Sequence, residues 1–440
     1  MKLELIVPAI PENLQKRKKA PCPPLGLAMV AALTPPEVEV SITDENVTTI
    51  DFRKETDLVG ITAMTITAQR AYEIANAFRA RGVKVIFGGS HPSALPEEAV
   101  QHADAVVVGE AEGIWSNVIE DFKANELKRI YRQDKRPRLV NLPVPRRDLF
   151  AKRAYYFNNT ISATRGCPYA CSFCSVTSFF GRTYRCRPVA EVLKEIATLN
   201  RRKYIGFVDD NIVGNPKFAK ELFRALIPYK VKWVAQASIT IAKDDELLEL
   251  AAASGCIMLL TGFETLTPAN LAAVGKNTNV VGEYEMAIKK IHAHGIAIHG
   301  FFILGLDEDR GDVFERTLRF AQQMRLESAQ FAWPVPYPGT DFSKALDKAG
   351  RITSKDWSKY KSTIVFRPKL MSQEALQEGR EWVWREFYSL SSIWKRIGIV
   401  RRNLLVLWVT NLVYRADLRR KKRTGKDIPK PVPSFVSQPE

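Results

Sequence analysis

The chain has 440 residues, 46% of them hydrophobic, and a formal net charge of +17. This length excludes a small single-core module and predicts two packed domains with an appendage. Six unevenly spaced cysteines argue against a disulfide framework, and the opening MKLELIVPAI has too short an apolar run for a secretory signal. We therefore expect a cytoplasmic protein with reduced thiols.

Residues 1–118 alternate short apolar runs with amphipathic stretches, and the first domain with its linker is expected to span residues 1–140. Strands are predicted at LELIVP, EVEVSIT, DLVGIT, VKVIFGG and DAVVVGE, and a helix at TAQRAYEIANAFRARG. This pattern predicts a Rossmann-like, doubly wound parallel sheet, which binds ligands at the carboxyl ends of its strands. Those ends fall near Thr65, near Gly88, Gly89 and His91, and near Glu110. An ordinary tight turn before His91 is the alternative at the second of these ends.

Residues 119–160 are polar and then rich in Pro and Arg, as expected of a connector. A second alternating series occupies residues 155–345. Its predicted strands are TISATRG, YIGFVDDN, KWVAQASI, CIMLLTGFE, IAIHGFFILGL and SAQFAWPVPYPG, with helical stretches between them. Six units are too few for a complete eight-unit barrel, so we predict an open, partial (β/α)6 barrel.

Residues 346–440 are predicted to be helical and to end in a basic tail. Residues 395–430 hold twelve Lys or Arg against two Asp, so +10 of the +17 lies there. The longest apolar run, residues 404–409, is far below the ~18 residues of a membrane span. Basic clusters around an apolar, Trp-containing helix suit peripheral contact with an anionic membrane or a partner protein. The alternative is a helix packed on the barrel with a solvated cationic tail.

Cys167, Cys171 and Cys174 lie within eight residues, just after the first predicted barrel strand. Clustered thiolates at the carboxyl end of a barrel strand predict a metal site. A structural zinc ion needs a fourth ligand, for which Cys186 is a candidate, whereas an iron-sulfur cluster held by three cysteines keeps one iron open for substrate. Of the two, the three-cysteine spacing favours the open iron-sulfur site.

CPYACSFC, with Phe173 before the last cysteine, resembles the signature of the radical S-adenosylmethionine (SAM) superfamily. The resemblance implies a [4Fe-4S] cluster whose open iron chelates SAM and cleaves it to a 5′-deoxyadenosyl radical. It also implies an electron donor such as flavodoxin or ferredoxin. Further matches to the superfamily lie at the ends of the following barrel strands, in the expected order. The residues that these matches assign to SAM are Phe173, Asp209, Asp210, Gln236, Ser238, Glu264, Gly300, Leu304 and Gly305.

The first domain resembles the cobalamin-binding domain found in one branch of that superfamily. The matching stretches are CPPLGLAMVAAL, DLVGITAMT, VKVIFGGSHPSALPEEA and ADAVVVGEAE. The D-x-H-x-x-G motif that supplies a histidine to cobalt in other cobalamin proteins is missing, so no lower ligand is identified. The resemblance assigns to cobalamin Pro24, Leu25, Thr65, Gly88, Gly89, His91 and Glu110.

These resemblances imply cobalamin-dependent radical methyl transfer to an unactivated carbon of a small biosynthetic intermediate. The aromatic and apolar stretches FAWPVPYPGTDF, near the sixth barrel strand, and LLVLWV, in the tail, favour a hydrophobic or lipid-like substrate. The alternative is another radical reaction on the same architecture, such as cyclisation, carbon-carbon coupling, rearrangement or oxidation, with or without cobalamin. A metal protein whose basic tail binds nucleic acid is a third hypothesis from another class. Nucleic acid is not expected as the partner, because the positive charge is concentrated in the terminal segment.

Overall fold

The computed structural model describes residues 1–10, 14, 19–200, 202–398 and 404–424, with side chains up to residue 419. Its first domain contains a six-stranded parallel sheet in the order β2-β1-β3-β4-β5-β6. The strands are β1 (Lys2–Val7), β2 (Glu39–Asp44), β3 (Leu58–Thr62), β4 (Lys84–Gly88), β5 (Ala105–Val108) and β6 (Ile130–Arg132). The helices are α1 (Leu25–Leu33), α2 (Ala68–Arg79), α3 (Ser90–Ala94), α4 (Pro96–Ala99) and α5 (Trp115–Lys123).

Both faces of this sheet are buried. On β4, Val85 and Phe87 enter one apolar core, while Ile86 between them enters the core on the other face. Neighbouring side chains of a strand point to opposite faces, so a strand covered on both sides needs an uninterrupted apolar run. This explains the apolar runs that become β3, β4 and β5, whereas the edge strand β2 is only partly buried and alternates polar with apolar residues. The short β6 was not predicted, because it lies in the polar segment expected to be a connector.

The second domain is an open barrel of six parallel strands in the order β14-β13-β12-β11-β10-β7. Its strands are β7 (Thr160–Ile161), β10 (Ile205–Phe207), β11 (Trp233–Gln236), β12 (Cys256–Glu264), β13 (Ala297–Ile303) and β14 (Ser328–Ala332). A separate antiparallel pair joins β8 (Thr164–Gly166) to β9 (Tyr184–Cys186). The helices are α6 (Ser175–Phe180), α7 (Val189–Thr198), α8 (Pro216–Leu226), α9 (Asp245–Ala253), α10 (Pro268–Ala273), α11 (Tyr284–Ala293) and α12 (Val313–Gln323).

The expected single strand TISATRG is divided into β7 and β8. The division falls at Ala163, where the buried Asp209 carboxylate accepts hydrogen bonds from the Ala163 amide (3.0 Å) and from the Thr164 amide. These amides therefore bind a side chain instead of a neighbouring strand. The turn sends β8 away from the barrel and carries the following cysteine loop over the barrel's end.

The last region packs on the barrel with α13 (Asp341–Lys348), α14 (Gln373–Phe387), α15 (Leu390–Arg396) and α16 (Leu404–Thr424). Phe331 of β14 meets Trp384 and Phe387 of α14 edge to face, with ring centroids 5.9 and 5.3 Å apart. One face of α16 is buried, as the packed-helix alternative predicts, whereas the basic tail after residue 424 lies outside the described residues. Over the described chain, no helix is both long enough and apolar enough to cross a bilayer.

Candidate active site between the two domains

A cavity of about 780 Å³ lies where the carboxyl ends of the two parallel sheets meet. The first domain contributes the loops after β3, β4 and β5, and the barrel contributes the cysteine loop and the ends of β10 to β14. Carboxyl ends of parallel strands are the usual binding edge in both kinds of fold. The cavity volume lies within the roughly 300–1,000 Å³ of ligand sites. One space therefore adjoins both predicted cofactor regions.

The three clustered cysteines all line this cavity. They follow β8 on a loop fixed by backbone hydrogen bonds, among them Ser172 N to Val274 O at 2.9 Å. Burial raises the pKa of Cys167 and of Cys171, and raises that of Cys174 to about 11. A bound metal ion deprotonates a coordinating thiol outright, so these raised pKa values do not oppose metal binding. Their placement therefore fits an iron-sulfur cluster at the wall of the cavity.

Cys186 does not complete a tetrahedral zinc site. It lies on β9, packs against the barrel core and is absent from the cavity wall. Among the described residues, no three His, Cys, Asp or Glu side chains are spaced to hold a single metal ion. A cubane cluster is wider than one ion and so needs its cysteines farther apart. The arrangement favours the cluster over the zinc alternative.

Most of the residues assigned to SAM lie beside the cysteines. Phe173, Asp210, Gln236, Ser238 and Glu264 line the cavity. Carboxylate, amide and hydroxyl groups offer acceptors and donors for the amino, carboxylate and ribose groups of SAM. This set therefore suits a polar ligand bound next to the cluster.

Asp209 has a different position from the one predicted. It is 1% exposed, lies outside the cavity wall and binds the Thr164 hydroxyl at 2.6 Å in addition to the two backbone amides. Burial raises its pKa to about 6 despite these hydrogen bonds. Asp209 thus shapes the start of the cysteine loop, while its neighbour Asp210 faces the cavity.

The residues assigned to the fifth barrel strand also differ from expectation. Gly300, Leu304 and Gly305 do not line the cavity, whereas Phe301, Phe302 and Ile303 do. A Cβ on Gly300 would meet the Leu326 side chain at 2.9 Å, and one on Gly305 would meet Leu376 at 2.4 Å. Gly305 also has φ +91°, which other residues rarely adopt. The structure therefore gives these glycines a role in packing.

Two cavity residues were missed by the sequence reasoning. Lys276 is paired with Glu264 at 2.9 Å, and the Glu264 charge helps to raise the pKa of Lys276 against the opposing effect of burial. Asn211 follows the two aspartates, is 2% exposed, and its Nδ2 has no hydrogen-bond partner among the described residues. Burying an N–H donor without a hydrogen-bond partner costs free energy. A bound ligand with an acceptor group would supply the missing partner for Asn211 Nδ2. No sequence signal distinguishes either residue from an ordinary loop side chain.

The first domain lines the cavity with four of the seven residues assigned to cobalamin: Leu25, Gly88, Gly89 and Glu110. A Cβ on Gly88 would meet nothing within 4 Å. Gly89 has φ +96°, and a Cβ there would lie 2.8 Å from Ala63 O. Gly89 is therefore needed for close packing against the end of β3, whereas Gly88 leaves an open backbone edge that a large planar ligand such as a corrinoid can approach.

Pro24, Thr65 and His91 are absent from the cavity wall. His91 is fully buried, with Nε2 3.0 Å from the Tyr72 hydroxyl and Nδ1 3.3 Å from Thr65 Oγ1. Its ring also meets that of Trp357 at 5.3 Å. The histidine thus belongs to a polar cluster under the loops, and Thr62, Met64 and Ile66 face the cavity instead.

Buried ion pairs join the two domains beside the cysteine loop. Arg165 binds Glu110 at 2.7 Å and also binds Glu112, while Arg185 binds the second Glu110 oxygen at 2.6 Å. Burial opposes ionisation of Glu112, but the Arg165 charge and hydrogen bond hold its pKa below the ordinary value. Arg165 precedes Cys167 by two residues, so this network ties the first domain directly to the cysteine loop.

Comparison with known proteins identifies the chain. The model of the radical SAM superfamily matches residues 161–321, and the model of the B12 binding domain matches residues 18–119. Bacteriochlorophyllide d C-12(1)-methyltransferase of Chlorobaculum tepidum is 34% identical over 410 residues, covering 90% of this chain and 89% of the relative. The chain belongs to the radical SAM superfamily. Hopanoid C-2 methylase of Rhodopseudomonas palustris is a more distant relative of this radical SAM enzyme, 28% identical over 76% of this chain and 66% of the relative.

Solved structures share its fold. The radical SAM methyltransferase TsrM of Kitasatospora setae, with cobalamin and a [4Fe-4S] cluster bound, aligns with a TM-score of 0.69 at 15% identity, covering 96% of this chain and 99% of that one. The predicted two-domain fold class is thereby confirmed. The two family matches confirm the predicted pairing of a radical SAM barrel with a cobalamin-binding domain, and with it the predicted cofactors, a [4Fe-4S] cluster, SAM and cobalamin. Both relatives named above are methyltransferases, in line with the predicted activity.

Proposed function

We propose that this radical SAM enzyme methylates an unactivated carbon at the periphery of a chlorin-type tetrapyrrole. The proposal depends on one observation above all, the shared cavity that brings the cluster cysteines and the binding edge of the first domain into one space. The relatives support the substrate class. Besides the C-12(1) enzyme, bacteriochlorophyllide d C-8(2)-methyltransferase of Chlorobaculum tepidum is 29% identical over 94% of this chain and 96% of the relative.

The barrel side of the cavity suits a flat, apolar molecule. Phe301, Phe302, Trp333 and Val335 line it. Arg380 lines the same region, with its guanidinium carbon 4.3 Å from the Trp333 ring centroid. Aromatic walls bind a large conjugated ring by burial and stacking, and a guanidinium stacked on an aromatic ring can pair with a carboxylate substituent. Together these groups favour an aromatic macrocycle that carries an acid.

When bound, the cluster and SAM supply a 5′-deoxyadenosyl radical, and cobalamin supplies the methyl group. The protein binds and orients the cofactors and the substrate, and it excludes water from the cavity. Cys167, Cys171 and Cys174 hold the cluster, while Asp210 and Glu264 contact SAM. The apolar wall keeps water away from the reacting carbon, which protects reactive species from side reactions. An electron donor of the flavodoxin or ferredoxin class provides the reducing electron.

Another radical reaction on the same architecture is the second candidate, because one relative has a different activity. The anaerobic magnesium-protoporphyrin IX monomethyl ester cyclase of Cereibacter sphaeroides is 27% identical over 79% of this chain and 63% of the relative. A ring closure would use the same tetrapyrrole class but would leave no new methyl group on the product. The two candidates are therefore distinguished by the product.

The test uses the full chain reconstituted without oxygen, with a chemical reductant, hydroxocobalamin, methyl-labelled SAM and a chlorophyllide probe. Methyl transfer predicts label on the chlorin together with S-adenosylhomocysteine and 5′-deoxyadenosine. In a parallel reaction with magnesium-protoporphyrin IX monomethyl ester as the probe, deoxyadenosine together with an unlabelled, oxidised and cyclised porphyrin would support ring closure. Label on cobalamin alone, with no modified chlorin, would reject the tetrapyrrole substrate while leaving methyl transfer in place. The matched control is Cys186→Ala, which removes a thiol outside the cavity and should retain activity.

A further inference from the structure

The outer face of α16 is apolar although it is exposed. Leu407, Asn411 and Tyr414 are buried against the barrel side of the helix. At 3.6 residues per turn, the opposite side carries Leu405, Val406, Val409, Leu412 and Val413. These five residues, here called the outward stripe, are between 41% and 77% exposed. An ordinary surface helix places polar residues on that side, so the stripe is not explained by folding.

The stripe continues onto α15 through a pair of tryptophans. Trp394 is 75% exposed, and its ring lies 5.7 Å from that of Trp408 on α16. Leu390, one turn earlier on α15, is 53% exposed. Trp is characteristic of the boundary between water and lipid, because its ring is apolar and its N–H is polar. The two helices thus present one continuous apolar surface edged by tryptophan.

Positive charge surrounds this surface in the sequence. Twelve Lys or Arg against two Asp occupy residues 395–430, and α16 ends in the run RRKKR at residues 419–423. An anionic membrane attracts such a segment with about 1 kcal/mol for each Lys or Arg near the surface. A nucleic acid would match the charge, but it would leave the outward stripe and the exposed Trp394 without a partner.

We propose that the outward stripe and Trp394 dock this protein on the surface of an anionic lipid bilayer, with α16 lying in the plane of the headgroups. Apolar side chains on one side of a helix and a cationic segment beside them are the two features that hold such helices at a membrane. The stripe points directly away from the barrel, so the bilayer can reach it without any part of the described fold unpacking. This inference is independent of the substrate proposed above.

The test is flotation of the full chain with vesicles of phosphatidylcholine alone or of phosphatidylcholine and phosphatidylglycerol at 3:1. We expect flotation with the anionic vesicles, weaker flotation with the neutral ones, and a decrease in 0.5 M salt. The paired substitutions Leu405→Ser and Val409→Ser should lower partitioning by about tenfold or more. Val280→Ser with Met286→Ser is the matched control, because these side chains are 45% and 64% exposed elsewhere on the barrel. It should float like the wild type.

Three results would overturn the proposal. The first is a stripe variant that floats as well as the wild type, and the second is a wild type that does not float with anionic vesicles at low salt. The third is a wild-type dimer in light scattering that the stripe substitutions convert to a monomer, which would make the surface an interface between two copies. Arg419→Glu with Lys422→Glu provides a second variant that leaves the apolar residues intact. It should bind anionic vesicles more weakly than the wild type and bind neutral ones equally well.

Discussion

The ion pairs between the domains allow a quantitative prediction. Arg165 has a side chain only 18% exposed, and the Glu112 carboxylate that it binds is 7% exposed. Removing one partner of a buried pair leaves an uncompensated charge and costs about 3–5 kcal/mol. We therefore expect Arg165→Met to lower the free energy of unfolding by about 3–5 kcal/mol, because Glu112 then loses its direct ion-pair partner and keeps only the more distant charge of Arg185. Glu112→Gln should lower the free energy of unfolding by less, because Arg165 still has its ion pair with Glu110.

Urea denaturation of the purified full chain measures these changes, with separate fits if the domains unfold in separate transitions. The double variant Arg165→Met with Glu112→Gln should lose about 2 kcal/mol less unfolding free energy than the two single variants lose together. The reason is that neither member of the pair is then left as an unpaired charge. The control is Glu37→Gln, whose exposed pair with Lys123 at 2.7 Å should contribute little to stability, because water screens it. Equal effects of Arg165→Met and Glu37→Gln, or simple additivity in the double variant, would refute the reasoning.

The remaining predictions concern single residues. Cys171→Ala should lose the iron and the charge-transfer absorbance of the reconstituted protein, whereas Cys186→Ala should retain both; equal iron in the two variants would contradict the assigned ligands. Burial lowers the pKa of His299 from 6.5 to about 4. The unfolded chain therefore binds the proton first, and stability should fall by about 3 kcal/mol as pH falls from 6.5 to 4. The difference in unfolding free energy between the wild type and His299→Gln, followed from pH 6.5 to 4, measures this loss. A difference that stays constant over that range would exclude it. Gly305→Ala should lower the thermal midpoint, whereas Gly311→Ala, where a Cβ meets nothing within 4 Å, should not.

The sequence predicted the sheets well because their strands are buried on both faces and so appear as apolar runs. It also placed the cysteine loop correctly, since the spacing of three thiols is a local signal. The structure places a residue differently from expectation where its surroundings depend on distant partners. His91 follows a strand as a binding residue would, yet its neighbours Tyr72 and Trp357 enclose it. Gly300 suits close approach of a ligand, but Leu326 and Phe302 occupy that space.

Long-range pairing also explains what was missed. Lys276 belongs to the loop after α10, and only the folded barrel brings it to Glu264. The network of Arg165, Glu110 and Glu112 joins residues more than fifty positions apart. Such contacts leave no periodicity or spacing in the chain, so they follow from the tertiary structure alone.

The position of Trp357 has a consequence for dissecting this enzyme. After completing the barrel, the chain returns to the first domain, where the Trp357 indole donates a hydrogen bond to Glu98 at 2.8 Å. Glu98 in turn accepts from Tyr72, in the cluster that encloses His91. A fragment ending at residue 345 would contain both cofactor regions and still lack this closing contact. The order of the segments along the chain is thus a poor guide to where the protein can be truncated, because the last region contacts the first domain and holds it in place.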